Sequence, residues 1–479
     1  MNFSFDIDEV LKQGKALVKD TKELVIQSKD RLLDKEIKLG ITGFSRSGKT
    51  ALITALTNNI CHFYDEDIAD KLVRFSAFRK YEVISGATVD LKDVTQSVFP
   101  YIKARDSIIN VNPVWPVPTD GVSKLRLEIM YKNKESSWYK SDSIKRLYLE
   151  IIDYPGEWLM DLMLLNCSFE KFSELVSRRI TKIGGVVDCA NFVALGQSLK
   201  PNLSVKKQEK SLKETVTAYT KWLRMCKEKG FTLNVPGHFI LPGDEKDSAV
   251  LEFIPWIWDR ENSDKELNKD SLYEVLKKRY EDYKEHIVKK FYHECFEKLD
   301  RQVILIDCLN ALKGGKETFD DVNDSFEALL NHFNYGKSNL FTRLFSSKID
   351  KVMFAATKAD TITNDQHENL KCLLNSMIKK NSPNIKGNDS DYDTMVLSAI
   401  RATSCEKYGQ NDECLRILDG NDERYYPGSV PTKWSLEEME FFQKNFCFKE
   451  LNPPKIEEGS VIPSMNLDVL LDYIIGDKL

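Results

Sequence analysis

The sequence predicts an α/β fold, a doubly wound sheet with mostly helical insertions. A short apolar strand at 37–42 leads directly into a loop bounded by two glycines and then into a helical run at 51–57. Further apolar strand candidates follow along the chain, with helical segments between several of them, at 124–131, 147–152, 303–306, 352–355 and 395–397. Strands that alternate with helices are typical of a largely parallel sheet covered by helices on both faces.

Two stretches are too long to be ordinary connections, which usually span about 2 to 6 residues. We therefore expect folded insertions at 57–118 and 160–302, the second mainly helical. The resulting division of the chain is an N-terminal amphipathic helical segment at 1–34, the first part of the core at 35–159, the helical insertion at 160–302, the second part of the core at 303–400, and a loop-rich region with a terminal helix at 401–479.

The N-terminal segment has three interpretations. Its apolar residues recur with a roughly helical period, and Asp and Glu dilute its basic face. A helix that packs on its own domain is the interpretation we favour. A membrane-surface anchor and a partner-binding helix are the alternatives, and anionic lipid would favour a more basic face than this segment has.

Composition excludes several classes of protein. The chain has 479 residues, with 69 Lys and Arg against 74 Asp and Glu, and this net charge of -5 argues against a protein that mainly coats nucleic acid. Its 10 cysteines form no CxxC pair, so neither a disulfide framework nor a zinc site is expected. Because no run approaches about 18 apolar residues and no secretory signal is evident, we expect a reducing cytoplasm.

The loop after the first strand has the full spacing of a phosphate-binding loop, Gly43-x4-Gly48-Lys49-Thr50. A phosphate chain needs converging backbone N–H groups, a cation for its terminal phosphates and a hydroxyl for Mg²⁺. The position between a strand and a helix supports this interpretation. The expected nucleotide-binding residues are Gly43, Ser45, Arg46, Ser47, Gly48, Lys49, Thr50 and Ala51.

A second motif, Asp153-Tyr-Pro-Gly156-Glu157, ends another apolar strand. In doubly wound sheets the carboxyl ends of the strands bind ligands. We expect Asp153 to hold Mg²⁺ together with Thr50, and Gly156 to contact a γ-phosphate. Thr119, in a proline-rich turn before the strand at 124, is the candidate switch hydroxyl and a third metal ligand.

A third motif predicts the base. Thr357-Lys358-Ala-Asp360 follows the strand at 352–355. Guanine offers two adjacent donors that one carboxylate accepts, so Asp360 indicates GTP, with the aliphatic stem of Lys358 along the base face. Thr357 replaces the usual Asn, which weakens the expected discrimination. The loop of Ser398, Ala399 and Ile400 is expected to meet the guanine carbonyl oxygen.

These motifs resemble the YcjX-like family of bacterial P-loop GTPases. The segments that carry the resemblance are 43–50, 115–119, 153–158, 300–309, 356–360, 425–431 and the C-terminal Gly-Asp-Lys-Leu, which together span nearly the whole chain. The resemblance implies a Ras-like core with helical insertions, a Mg²⁺-GTP ligand and a role in a bacterial stress response. It also implies a membrane-protein partner of the YcjF type, and with it peripheral association with the inner membrane.

The expected function is a slow GTPase that acts as a nucleotide-dependent switch. Its expected partners are guanine nucleotide, the YcjF-type protein and a second copy of the chain, and nucleic acid is not expected. The catalytic candidates are Glu157, Arg46 and Thr119. Glu157 stands where many small GTPases use Gln to orient water, and a carboxylate is repelled by a triphosphate, so turnover is the weakest part of the assignment.

Alternatives remain open at this point. The insertion at 57–118 offers Arg74, Arg79 and Arg105 as candidates for an arginine that reaches the phosphates. A non-hydrolysing scaffold stabilised by its nucleotide would keep Lys49 and Asp153 and show no turnover. An ATP-dependent kinase or transferase would make Asp360 incidental, and the sequence contains no recognisable acceptor-substrate motif.

Overall fold

The structure is a computed structural model. It describes residues 35–479 except 44–45, 94, 135–143, 247, 259–267, 332–348, 382–391, 409–411 and 434. The N-terminal helix expected within 1–34 therefore lies outside the described residues, and so does Ser45. No helix in the described part of the chain is both long enough and apolar enough to cross a membrane.

A seven-stranded sheet forms the centre, in the order β2-β3-β4-β1-β5-β6-β7. β4, β1, β5, β6 and β7 run parallel to one another, whereas β3 is antiparallel to both β2 and β4. The predicted doubly wound sheet is confirmed. Its strands are β1 Lys35–Gly43, β2 Tyr81–Val89, β3 Ser123–Asn133, β4 Lys145–Asp153, β5 Arg301–Ile306, β6 Lys351–Ala356 and β7 Tyr392–Val396.

Helices occupy both faces of this sheet. In the first half of the chain they are α1 Lys49–Cys61, α2 Ile68–Lys71, α3 Ala77–Lys80, α4 Tyr101–Ile108, α5 Gly156–Asp161, α6 Phe169–Ile183, α7 Ala190–Ser198, α8 Glu209–Glu228 and α9 Gly237–Ile240. They continue as α10 Leu272–Tyr283, α11 Cys308–Lys313, α12 Lys316–Asn331, α13 His367–Asn381, α14 Leu436–Asn445 and α15 Leu467–Ile475. After α10 the helix goes on through π-helical turns at Lys284–Val288 and Tyr292–Phe296.

Side chains of the central strands alternate between two hydrophobic cores. In β5, Val303 and Leu305 join α1 and α15 on one face, whereas Ile304 and Ile306 join the helical insertion on the other. Successive side chains of a strand point to opposite faces, so a strand buried on both sides is apolar at nearly every position. This is why residues 303–306 of β5 form a continuous apolar run in the sequence.

Two parts of the chain contain strands that the sequence pattern did not predict. β2 lies within 57–118 and forms an edge of the sheet, where a half-exposed strand needs no strong apolar alternation. Gly86 of β2 packs against the chain at Ile60, since a Cβ there would lie 2.2 Å from the Ile60 carbonyl oxygen. The C-terminal region holds a three-stranded antiparallel sheet, whose largely polar strands are β8 Thr403–Tyr408, β9 Asp412–Ile417 and β10 Arg424–Tyr425.

Candidate functional site

The parallel register brings the ends of five strands to one edge of the sheet. Ile41 pairs with Asp153, Gly43 with Leu305, and Ile306 with Ala356. The residues that follow these positions line a cavity of about 830 Å³. The predicted residues along it are Gly43, Arg46, Ser47, Gly48, Lys49, Thr50, Ala51, Thr119, Gly156, Glu157, Thr357, Lys358, Asp360, Ser398, Ala399 and Ile400.

Two glycines of the phosphate-binding loop are required by their geometry. Gly48 has φ 86° at the start of α1, a conformation that glycine adopts without strain. A Cβ on Gly43 would lie 2.2 Å from Ser47 Oγ and 2.7 Å from the Leu305 Cβ. α1 has no acidic residue in its first turn and no side-chain cap at its start, so its N–H groups face the cavity without a side-chain acceptor. Arg46, exposed and with φ 63°, belongs to the same turn.

Lys49, Asp153 and Thr119 form one connected group. The Lys49 Nζ lies 2.8 Å from Asp153 Oδ1 and donates to the Tyr154 carbonyl oxygen at 2.6 Å. The Thr119 hydroxyl donates to Asp153 Oδ2 at 2.5 Å, although 34 residues separate them in sequence. Asp153 is 1% exposed, so burial strengthens these contacts. The structure therefore brings the candidate switch threonine to the carboxylate at the end of β4.

Oxygen donors at this point fit the chemistry of Mg²⁺. Asp153 and the hydroxyls of Thr50 and Thr119 are hard oxygen ligands, and Mg²⁺ prefers a few such ligands together with waters and phosphate oxygens. No cluster of three or more His, Cys, Asp or Glu residues capable of holding a metal occurs in the described residues. A bound phosphate would add further oxygen ligands to these three side chains.

Asp360 is fixed by its neighbours on the loop after β7. Its Oδ1 accepts from the Ser398 hydroxyl at 2.7 Å, and its Oδ2 accepts from the Ala402 N–H at 2.8 Å. Burial raises the pKa of this carboxyl, and these hydrogen bonds oppose the shift. Thr357 is buried, and its N–H donates to the Ile306 carbonyl oxygen at 2.9 Å.

Lys358 also has a partner that the sequence did not indicate. Its backbone is left-handed, with φ 60°, and its Nζ lies 2.6 Å from Asp307 Oδ2. Asp307 follows β5 and also accepts the Asn310 N–H at the start of α11. This ion pair fixes the end of the lysine side chain beside the cavity.

Glu157 faces the cavity from the first turn of α5. Its Oε1 lies 2.8 Å from the Nζ of Lys227, in the last turn of α8. The two residues are 70 positions apart, and no local pattern around Lys227 signals the contact. A basic residue in the last turn of a helix was the available signal, and many surface lysines share that feature.

The arginine candidates from 57–118 lie elsewhere. Arg74 pairs with Asp468 of α15 at 3.0 Å, and Arg105 pairs with its neighbour Asp106 at 2.8 Å. Neither they nor Arg79 lines the cavity, and Arg46 is the arginine that does so among the described residues. Lysines supply most of the positive charge instead.

The C-terminal region supplies a wall of the cavity that sequence reasoning missed. Tyr425 and residues 446–452 line it, and the Trp115 Nε1 donates to the Leu451 carbonyl oxygen at 2.8 Å. This bond joins the turn before Thr119 to a segment more than 300 residues later. The basic lining residues outnumber the acidic ones, which suits a polyphosphate, and they are Arg46, Lys49, Lys227, Lys313, Lys358 and Lys449.

The profile of the YcjX-like family, DUF463, matches residues 37–479. The chain belongs to the YcjX-like family. Two relatives of this chain carry the name Ras-like GTPase YcjX. The Escherichia coli protein is 34% identical over 461 residues, covering 94% of this chain and 97% of its own length. The Shewanella oneidensis protein is 32% identical over 471 residues, covering 94% and 96%.

Proposed function

We propose that this chain binds GTP with Mg²⁺ and hydrolyses it slowly to GDP and phosphate, as a nucleotide-dependent switch. The observation that carries the proposal is the convergence of three separate motifs on one cavity, which is lined by Gly43 and 46–51, by 155–157, and by Thr357, Lys358 and Asp360. Asp153 does not line the cavity itself but is buried in contact with Lys49, which does. Each motif has a different chemical task. The name of the two relatives, Ras-like GTPase, supports the same activity.

The phosphate end of the cavity is assigned to the loop before α1. The N–H groups of 46–51 donate hydrogen bonds to the phosphate oxygens, and the Lys49 ammonium leaves Asp153 to neutralise the terminal phosphates. Thr50, Thr119 and Asp153 would hold Mg²⁺, which when bound neutralises the charge that develops on the phosphates. Gly156 contacts the γ-phosphate.

The base end is assigned to Asp360 and its loop. An ionised Asp360 accepts the N1–H and the exocyclic amine of guanine, whereas adenine presents no such donor pair. Ser398 and the Ala402 N–H stabilise the ionised carboxylate in a buried position, which supports this role. The Lys358 stem, held at its tip by Asp307, covers the base face, and Ala399 and Ile400 line the loop near the guanine carbonyl oxygen.

Hydrolysis joins a water oxygen to the γ-phosphorus and breaks the bond from that phosphorus to the β–γ bridging oxygen. GDP leaves with the electron pair, and the water protons pass to the phosphate and the solvent. Glu157 would orient the water, because it follows Gly156 at the place where many small GTPases have Gln. We expect slow turnover because Glu157 replaces the usual Gln, and because Arg46, the arginine that lines the cavity among the described residues, is an exposed residue of the turn before α1.

The cellular setting comes from the family resemblance. A role in a bacterial stress response, a membrane-protein partner of the YcjF type, peripheral contact with the inner membrane and self-association belong to this proposal. Exposed apolar side chains precede Thr119 in the chain, and they include Val111, Val114 and Val117. They support a partner protein that binds this segment and distinguishes its nucleotide states.

Binding and single-turnover hydrolysis of GTP and ATP, with Mg²⁺ and with a chelator, test the proposal. We expect micromolar or tighter binding of GTP, at least about 100-fold weaker binding of ATP, and phosphate release that requires Mg²⁺. Tight GTP binding without phosphate release would favour the nucleotide-stabilised scaffold. Equal binding of ATP and GTP would contradict the role of Asp360.

A further inference from the structure

Glu157 is a carboxylate held at the phosphate side of a cavity meant for a polyanion. It is 8% exposed, and its own main chain is fixed, since a Cβ on Gly237 of α9 would lie 2.2 Å from the Glu157 carbonyl oxygen. Its side chain is 9% exposed and lines the cavity from this fixed main chain. A triphosphate beside such a group meets a like charge unless another group compensates it.

Lys227 supplies that compensation from the helical insertion. Its Nζ lies 2.8 Å from Glu157 Oε1, and both side chains line the cavity together with Gly48 and Lys49. With one oxygen engaged by the ammonium, the other oxygen of Glu157 is left to accept a hydrogen bond. The ion pair is also mostly shielded from solvent, with exposures of 27% for the lysine and 9% for the glutamate side chain.

We propose that Lys227 is a positioning residue for GTP hydrolysis and acts through Glu157. Its ammonium cancels the charge of the carboxylate and holds it so that Glu157 accepts a hydrogen bond from the attacking water. The water oxygen then joins the γ-phosphorus as the bond to the β–γ bridging oxygen breaks. This inference rests on the proposed GTPase function, and it gives the insertion at 160–302 a part in the reaction.

The test is single-turnover hydrolysis on the full chain for Lys227→Met, Glu157→Gln and the double variant, with the affinity for a fluorescent GDP analogue measured in parallel. We expect Lys227→Met to lower the hydrolysis rate by about 10-fold or more and to change GDP affinity by less than about threefold. Because the lysine acts through the carboxylate, Lys227→Met should add little in the Glu157→Gln background. Lys227→Arg should recover most of the rate.

Lys221→Met is the matched control, because Lys221 lies on the same helix with an exposed side chain. It should leave the hydrolysis rate unchanged. Lys227→Gln serves as a second neutral variant if the Met variant unfolds at lower temperature. Equal rate losses in the wild-type and Glu157→Gln backgrounds would overturn the inference, since Lys227 would then contact the phosphate directly. An unchanged rate in Lys227→Met would also overturn it.

The two proposals fail in different ways. A wild-type chain that binds no guanine nucleotide, or that never releases phosphate, contradicts the proposed function itself. A wild-type chain that hydrolyses GTP while Lys227→Met does so equally fast contradicts the role of Lys227 alone.

Discussion

Asp360 and Lys49 are charged side chains that line the same cavity and that we assign to different parts of one nucleotide. Asp360 is 4% exposed, and each of its carboxylate oxygens accepts one hydrogen bond from the protein, so its position is set before any base binds. Lys49 instead forms an ion pair with Asp153, a carboxylate that we assign to Mg²⁺. Binding of a Mg²⁺ nucleotide would exchange that partner for phosphate oxygens.

Asp360→Asn should convert the base preference. An Asn amide nitrogen is a donor and cannot accept from the guanine amine, whereas xanthine carries a carbonyl oxygen at that position. We expect GTP affinity to fall at least about 10-fold and affinity for xanthosine triphosphate to be retained, as measured by competition with a fluorescent nucleotide. Asp365→Asn, an exposed residue on the same loop, is the control. Unchanged GTP affinity in Asp360→Asn would remove the base-recognition argument.

Lys49→Ala should abolish nucleotide binding. The ammonium neutralises the terminal phosphates, and charge-assisted hydrogen bonds are worth about 1.5–3 kcal/mol each, so two of them correspond to a loss of about 100-fold or more. Titration with a fluorescent GDP analogue measures it. Lys92→Ala, which removes an exposed lysine paired with Glu36, should bind normally. Nucleotide affinity within about threefold of wild type in Lys49→Ala would contradict the assignment of the phosphate end.

At the scale of elements, α5 is embedded in the helical insertion. All of its residues are buried, Trp158 stacks on His238 with ring centroids 4.1 Å apart, and the Trp158 Nε1 donates to the Leu241 carbonyl oxygen at 2.8 Å. Asp161, at the end of α5, accepts from the Gly237 N–H at 2.7 Å and from the Tyr283 hydroxyl at 2.6 Å. These contacts therefore join α5, and with it Glu157, to the helical insertion.

Gly237→Ala tests the packing of α5 against α9. A Cβ at Gly237 would collide with the Glu157 carbonyl oxygen, so one of the two helices must shift, at a cost of about 1–3 kcal/mol. We expect a lower melting temperature and slower GTP hydrolysis, because the shift displaces Glu157. Gly185→Ala is the matched control, since a Cβ there meets no atom within 4 Å. A Gly237→Ala protein with wild-type melting temperature and rate would contradict the coupling.

At the scale of the whole molecule, the C-terminal helix closes the core on the α1 face. Arg301, at the start of β5, is 1% exposed and donates to Asp477 Oδ1 at 2.6 Å and Oδ2 at 2.7 Å. Burial raises the pKa of Asp477, but the hydrogen bonds and charges of Arg301 and Lys351 outweigh it and hold the pKa below its ordinary value of 3.8. This contact connects the end of the chain to the central sheet.

Asp477→Asn should lower the free energy of unfolding by about 1–3 kcal/mol at pH 7, because it leaves the buried Arg301 without its anion. A carboxyl whose pKa is lowered by folding adds stability above its unfolded value and loses that stability as pH falls through the folded value. The difference between wild type and Asp477→Asn should thus be full above about pH 4 and shrink in stronger acid, as followed by thermal unfolding.

Asp350→Asn is the control for this experiment. Asp350 pairs with Lys478 at 3.2 Å, and the two side chains are 49% and 40% exposed, so solvent screens the pair and it should be worth at most about 1 kcal/mol. A constant difference between wild type and Asp477→Asn down to pH 3 would contradict the linkage argument.

The sequence by itself indicated six of the seven strands of the central sheet, the family and the motif residues. Gly43, Gly48 and Asp360 lie at or shortly after the ends of strands with a clear apolar pattern. The carboxyl ends of parallel strands meet at one edge of the sheet, and insertions elsewhere in the chain do not change this. The doubly wound fold was predictable for the same reason. The edge strand β2 and the strands of 401–479 were not, because half-exposed polar strands leave no clear alternation in the sequence.

Tertiary structure alone decided which distant residues complete the cavity. Lys227, Asp307 and the 446–452 segment reach it through packing between elements far apart in sequence, and no local spacing encodes such contacts. Tertiary structure also decided where the arginines lie, since Arg74 pairs with Asp468 of α15 and does not line the cavity. Local motifs specify what chemistry a loop can perform. The packing of the insertion and the C-terminal region specifies which charges surround it.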